Sequence, residues 1–411
     1  MAEHECGRQK PSGIFDAGYL LYDYATYNAF DEKAREMYWK QAKEGLFDEG
    51  FESWWCDSTE PFSGPDWNGG VKREPWERYE LVGGEHKKYL DPAVANAFAL
   101  MHAKGIYENQ RKDTEDKRVL NLTVRYASGQ KYAAMLWSGD TCASWDNFKI
   151  QIVEGLNMGL SGYPYWTLDI GAFFTVADKW QNRGCGCNTD PEPKWFWQGK
   201  YNEGVKDKGY CELYTRWLEM GTFLPMFRSH GTDTPREIWN FGDKGTMFYD
   251  AIEKSIKLRY HLMPYIYSLA GAVHFNDYTI MRSLLFDFPQ DKTARKIENE
   301  FMFGPSLLIC AVTEPMYYGP ESTELDREKT WECYLPQGAD WYDYWTGKKY
   351  EGGQYVTVDA PIDQMPIFVK AGSILPVADG LTYASQKPEG PVKLMVYPGA
   401  DAEFTLYEDE G

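Results

Sequence analysis

Apolar residues in the first 288 positions alternate between two periods. Residues 31–50 repeat them at helical spacing, with Asp31 placed as an N-cap and Gly45 and Gly50 as stops. Residues 54–57 then read as a short strand. The alternation continues with a helix over 93–106, a strand over 119–125, a helix over 144–160 and a strand over 163–169. A helix over 210–220 and a strand over 223–227 come next. One long helix is predicted over 247–272, and a final strand over 279–285. Strands alternating with helices imply parallel β/α units, the repeat of a (β/α)8 barrel.

The texture changes near Phe303. Short β-type runs at 307–312, 331–335, 355–358, 367–369 and 374–377 are separated by Gly, Pro and Asp. Residues 341–347 read as a strand entering a turn. A further β unit begins at 392–407. The fold class expected is therefore α/β: part of a TIM-type barrel over 1–302, a β-sandwich over 303–380, and the start of a distal β domain over 381–411.

Chemistry collects at the C-terminal ends of barrel strands. The strand ends in this reading carry Asp57, Arg125, Asp169 and the pair Arg228/His230. Arg228 and His230 are two apart, so on an extended strand they face the same way. Asp57 follows Trp54 and Trp55, and Asp140 follows Trp137. Two carboxylates framed by aromatic rings suit glycoside hydrolysis, in which one carboxylate attacks, the other protonates the leaving oxygen, and flat rings hold the sugar.

Composition narrows the partners. Hydrophobic residues make up 43% of the 411, which argues for a packed core and against disorder. A formal net charge of −19 disfavours nucleic acid and anionic membrane surfaces, and fits a neutral ligand such as a glycoside or oligosaccharide. The apolar runs are too short to span a bilayer. Cys185-Gly186-Cys187 is the one close cysteine pair, and no second pair stands at ligand spacing, so neither a metal nor a cofactor is expected. Cys56 and Cys310 lie in apolar runs and read as small core residues. Asn121-Leu122-Thr123 fits a glycosylation sequon but falls in a strand expected to be buried.

Several motifs recur in order: Trp54-Trp55-Cys56-Asp57-Ser58-Thr59-Glu60-Pro61, Leu122-Thr123-Val124-Arg125, Trp137-Ser138-Gly139-Asp140, Trp166-Thr167-Leu168-Asp169-Ile170-Gly171 and Phe227-Arg228-Ser229-His230. Met365 to Gly372 and Phe404 to Gly411 extend the series. With these motifs the chain resembles glycoside hydrolase family 31, the retaining α-xylosidases, α-glucosidases and their relatives. The resemblance implies Asp57 as nucleophile and Asp140 as general acid and then base. It implies sugar contacts from Arg125, Asp169, Arg228 and His230 and a supporting place for Glu60, while Trp137 and Trp166 read equally as pocket walls or as buried scaffold. The family also carries an N-terminal β-sandwich and earlier barrel strands, and the first 288 residues match only about the last five of eight strands. The expectation is thus a piece of a larger enzyme, and the missing leader says nothing about compartment, cytoplasmic or periplasmic.

The leading expectation is an exo-acting retaining α-glycosidase, with α-xyloside first, α-glucoside second and α-galactoside third. A transglycosylase shares the covalent intermediate and differs in its acceptor. A non-catalytic carbohydrate-binding protein would be signalled by loss of Asp57 or Asp140, and both are present. The sequence leaves the oligomeric state open.

Overall fold

A computed structural model describes residues 27–57, 59, 94, 97–123, 131–176, 199–388 and 390–409. The chain divides into two compact units, Met1–Trp137 with Asp178–Trp195, and Ser138–Ala177 with Phe196–Gly411.

In the first unit, helix α1 (Glu32–Gly45) starts where the sequence placed it: the Asp31 carboxylate accepts the Ala34 N–H at 2.9 Å. Lys43 in its last turn suits the negative end of the helix dipole. Gly50 adopts φ 96° and closes the short 3-10 turn that follows. Strand β1 (Ser53–Cys56) alternates exposed and buried positions, so Trp54 and Cys56 enter the core while Trp55 stays outside. Helix α2 (Phe98–Asp113) runs further than expected, because Asn109 and Gln110 are buried polar residues that look like a surface end in sequence. Gln110 explains itself by accepting the Trp54 indole N–H at 2.7 Å. Strands β2 (Leu120–Thr123) and β3 (Met135–Trp137) extend the sheet. Both ladders, β1 with β2 and β2 with β3, are parallel. Parallel neighbours need a crossover, and α2 lies between β1 and β2 in the chain. Asn121 of the sequon is fully buried on β2.

In the second unit, helix α3 (Trp145–Leu160) is capped by Ser144, whose hydroxyl accepts the Asn147 N–H at 3.1 Å. Strand β4 (Tyr165–Thr167) follows, then helix α4 (Lys208–Gly221), buried along nearly its whole length. Residues 223–227, expected as a strand, form none. The segment instead runs beside β4 through isolated bonds: Met226 N–H to Trp166 C=O, Thr167 hydroxyl to Met226 C=O, and one parallel bridge between Ile170 and Ser229. Pro225 removes a ladder donor here, which limits regular pairing. The long helix expected over 247–272 is two helices, α5 (Met247–His261) and α6 (Met263–Asn276). The break is at Leu262, with Pro264 in the first turn of α6, where its missing N–H costs nothing.

Strand β5 (Met281–Ser283) corrects a second expectation. It pairs antiparallel with β6 (Glu300–Phe303) instead of closing a parallel series. A short helix, α7 (Leu284–Asp287), separates the two. The further strands are β7 (Leu307–Cys310), β8 (Thr330–Leu335), β9 (Trp341–Asp343), β10 (Lys349–Tyr350), β11 (Gln354–Asp359), β12 (Ile367–Lys370), β13 (Ser373–Val377) and β14 (Lys393–Tyr397). One sheet has the order β10-β9-β12-β7-β6-β5, while β8 pairs with β11 and β13 with β14. Leu284, Met302, Leu308, Cys310, Cys333, Leu335, Trp341 and Phe368 form the core on one face of the six-stranded sheet. The other face meets the helices, where Phe303 packs edge-on against Phe223 at 5.6 Å and the Tyr265 hydroxyl donates to Phe303 C=O.

Candidate active site

In the first unit, Asp57 stands one residue beyond β1 and is exposed. The alternation of that strand continues through it, so Trp55 and Asp57 share the outward side. The Trp55 indole meets Trp137 edge to face, with centroids 5.8 Å apart, and Trp137 is itself only 4% exposed. The strand end below Asp57 is fixed by Thr123, whose hydroxyl donates to Cys56 C=O at 3.1 Å. Arg125, Glu60 and the Cys185-Gly186-Cys187 pair lie outside the described residues.

The second unit brings Asp140, Asp169, Arg228 and His230 onto three tied loops. Arg228 Nη1 donates to Asp169 Oδ1 at 2.7 Å and to Leu168 C=O at 3.3 Å. Asp169 is fully buried, and its Oδ2 has no hydrogen-bond partner among the described residues. An adjacent guanidinium ordinarily lowers a carboxyl pKa. Here burial outweighs it, and the nearby Asp140 carboxylate pushes the same way, so Asp169 rises to about 7. It is poised between its charged and neutral forms near neutral pH.

The loop after Asp169 is held by features with no local sequence signal. Gly171 has φ 79°, and a Cβ there would strike the Tyr214 ring at 2.4 Å. Ala172 follows at φ 66°, an uncommon conformation for a side chain. Arg236 holds this turn, donating to Ala172 C=O at 2.5 Å and to the Thr175 hydroxyl at 3.1 Å. It also donates to Thr234 C=O at 2.7 Å, binding its own loop to the first. Phe173, next along, packs against the His230 ring with centroids 5.5 Å apart. The Asp140 loop joins on the other side: Phe174 N–H donates to Thr141 C=O and Ala143 N–H to Phe174 C=O, each at 2.8 Å. Asp140 thus sits one residue before a backbone clamp, just after Gly139 at φ 78°. Phe173 and Arg236 carry no sequence signal, because what they touch is set by other segments.

Trp137 and Trp166 are both buried, at 4% and 5% exposed. For Trp166, read as pocket wall or buried scaffold, a Cβ on Gly155 of α3 would meet its Nε1 at 2.7 Å. Glycine at 155 lets the helix close onto this indole. Trp166 packs where β4 meets α3.

Parallel β/α units with carboxylates and cations gathered on their loops are the arrangement of the β/α-barrel class. The chain belongs to glycoside hydrolase family 31: residues 5–269 match the family's TIM-barrel domain and residues 277–375 its C-terminal domain. It is 36% identical over 395 residues to an alpha-xylosidase of Saccharolobus solfataricus, across 96% of this chain and 47% of that protein. An Alpha-glucosidase 2 from Bacillus thermoamyloliquefaciens is 29% identical over 387 residues, across 93% of this chain and 42% of that one. Among solved structures, the family 31 alpha-xylosidase of Xanthomonas citri superposes with TM-score 0.76 at 37% identity, covering 93% of this chain and 38% of its own. The chain spans about half the length of the curated relatives it matches. Among the described residues, no helix is long and apolar enough to cross a membrane.

Proposed function

We propose that this chain carries the catalytic core of a retaining, exo-acting α-glycosidase, with a terminal α-xyloside as its first substrate. The observation that carries the reading is the Asp140–Asp169–Arg228–His230 cluster, held on three interlocked loops of one unit. Asp57 is the nucleophile: it attacks the anomeric carbon, forms a glycosyl ester and expels the aglycone. Asp140 gives its proton to the departing oxygen, then takes one from the water that opens the ester. Arg228, His230 and Asp169 bind ring hydroxyls. A buried carboxyl near its pKa can accept or donate a hydrogen bond as charge develops at the anomeric carbon. The substrate preference leans on the likeness to two alpha-xylosidases at 36% and 37% identity. The alpha-glucosidase likeness makes α-glucoside the second reading.

The test is hydrolysis of aryl α-xyloside, α-glucoside and α-galactoside by the chain beside its Asp57→Ala variant. The xyloside should turn over fastest, the variant should lose it, and azide should restore part of it in place of the carboxylate. Turnover persisting in the variant overturns the nucleophile. A faster α-glucoside replaces the substrate. Silence from a folded chain means that these 411 residues do not carry the activity alone.

A further inference from the structure

Away from the strand-end loops, the sandwich core encloses one polar cluster. Glu300 opens β6 and sits directly opposite Cys310 on β7 in the antiparallel register, so both side chains leave the sheet on one face. Cys333 on β8 comes from a different sheet. A carboxylate oxygen and the two Sγ atoms all lie within 4.8 Å of one another. The three residues are 3%, 0% and 0% exposed. Glu300 Oε1 accepts the Tyr334 N–H at 2.8 Å, which fixes the carboxyl beside Cys333. Its Oε2 is buried and has no hydrogen-bond partner among the described residues. Met302, Leu308, Leu335 and Phe368 belong to the same core as the two cysteines, and the Asp343 and Glu332 carboxylates lie near enough to act on Cys333.

We propose that Glu300, Cys310 and Cys333 hold one thiophilic divalent cation of the zinc class. Two sulfurs and one carboxylate oxygen are a donor set that zinc takes readily and that magnesium or calcium does not. Tetrahedral zinc sets neighbouring ligand atoms roughly 3.5–3.8 Å apart, so small side-chain rotations close this cluster onto an ion. Binding forms two metal–sulfur bonds and one metal–oxygen bond and releases the thiol protons to solvent. Two thiolates and one carboxylate leave a divalent ion with a single net negative charge, and a water can fill the fourth position. The bound ion fastens β8 to the β6–β7 pair, layer to layer. Burial of all three donors means that it enters before the layers close, during folding.

The test needs no turnover. The chain is refolded with zinc, desalted and analysed for metal. Cadmium is then substituted, and its thiolate charge-transfer absorption recorded. Wild type should hold one equivalent and show the band, and so should Cys185→Ser/Cys187→Ser, which removes the close cysteine pair. Cys333→Ser should lose both. Glu300→Gln keeps the side-chain shape and the acceptor for Tyr334, so it should fold and bind at least about tenfold more weakly. Wild type without metal, equal content in Cys333→Ser, an unchanged affinity of Glu300→Gln in chelator competition, or a Cys310–Cys333 disulfide found by thiol counting in denaturant would each overturn the proposal.

Discussion

Two buried acids in the same unit are treated differently. Glu212 on α4 accepts three backbone N–H groups, from Met316 at 2.6 Å, Tyr317 at 2.9 Å and Tyr318 at 2.7 Å. One turn further on, Arg216 donates to Ala360 C=O, Pro361 C=O and Glu219. These groups pin the β module's loops to the helix, and both Glu212 oxygens are held by backbone donors. Asp169 is as deeply buried but has one guanidinium and one oxygen without a partner, and its pKa rises to about 7. A carboxylate surrounded by fixed donors is structural. One left partly unsatisfied at a strand end stays available to a ligand, at a cost in stability.

The sharpest way to break this comparison is Arg216→Ala. The change strips a fully buried cation from its carbonyls and leaves Glu219 without its partner, so about 3–5 kcal/mol of stability should be lost in urea unfolding. A loss under about 1 kcal/mol would make the seam far weaker than described. Asp169→Asn keeps an acceptor for Arg228 but removes the charge. Turnover should fall about 10²–10³-fold, the range for losing one preorganised transition-state contact, while the urea midpoint moves little. A large stability loss at full activity would reverse the two roles. Glu212→Gln turns one acceptor oxygen into a donor facing N–H groups and should cost about 1–3 kcal/mol without changing relative substrate preference.

The smallest effect is in pH. Asp169 has a folded pKa of about 7, above its ordinary 3.8, and Glu219 is likewise pushed to about 7 by burial. Between about pH 4 and 7 the folded state therefore holds protons that the unfolded chain has released. Stability contributed by these groups is present at low pH and declines as pH rises through that window. Asp169→Asn should flatten the slope in a series of urea midpoints. An unchanged slope would mean that Asp169 titrates normally.

Much of the candidate site was legible because its signals are local. Asp57 follows β1 as the tryptophan-rich run indicated, and the pairing of Arg228 with Asp169 appears only in the fold. The places where reading failed share a cause. Residues 223–227 have strand-like composition, but pairing is a property of two segments, and the neighbour accepts only scattered bonds. Trp166 has the composition of a sugar platform, but Gly155 on another element draws it into packing. The break after His261 is marked locally by Pro264, but the apolar period continues across it.

By itself the sequence determined the cap at Asp31, the β/α alternation, the β texture of the last hundred residues and the family, all of which rest on neighbours within a few positions. Only the tertiary structure decided which acids are satisfied and which are not. It also decided which face Trp166 presents, that Arg236 ties the loop carrying Phe173 against His230, and that Glu300, Cys310 and Cys333 meet in one core. Burial and partnership come from segments far apart in the chain. Desolvation and hydrogen bonding take their values from those partners, so no local pattern encodes them.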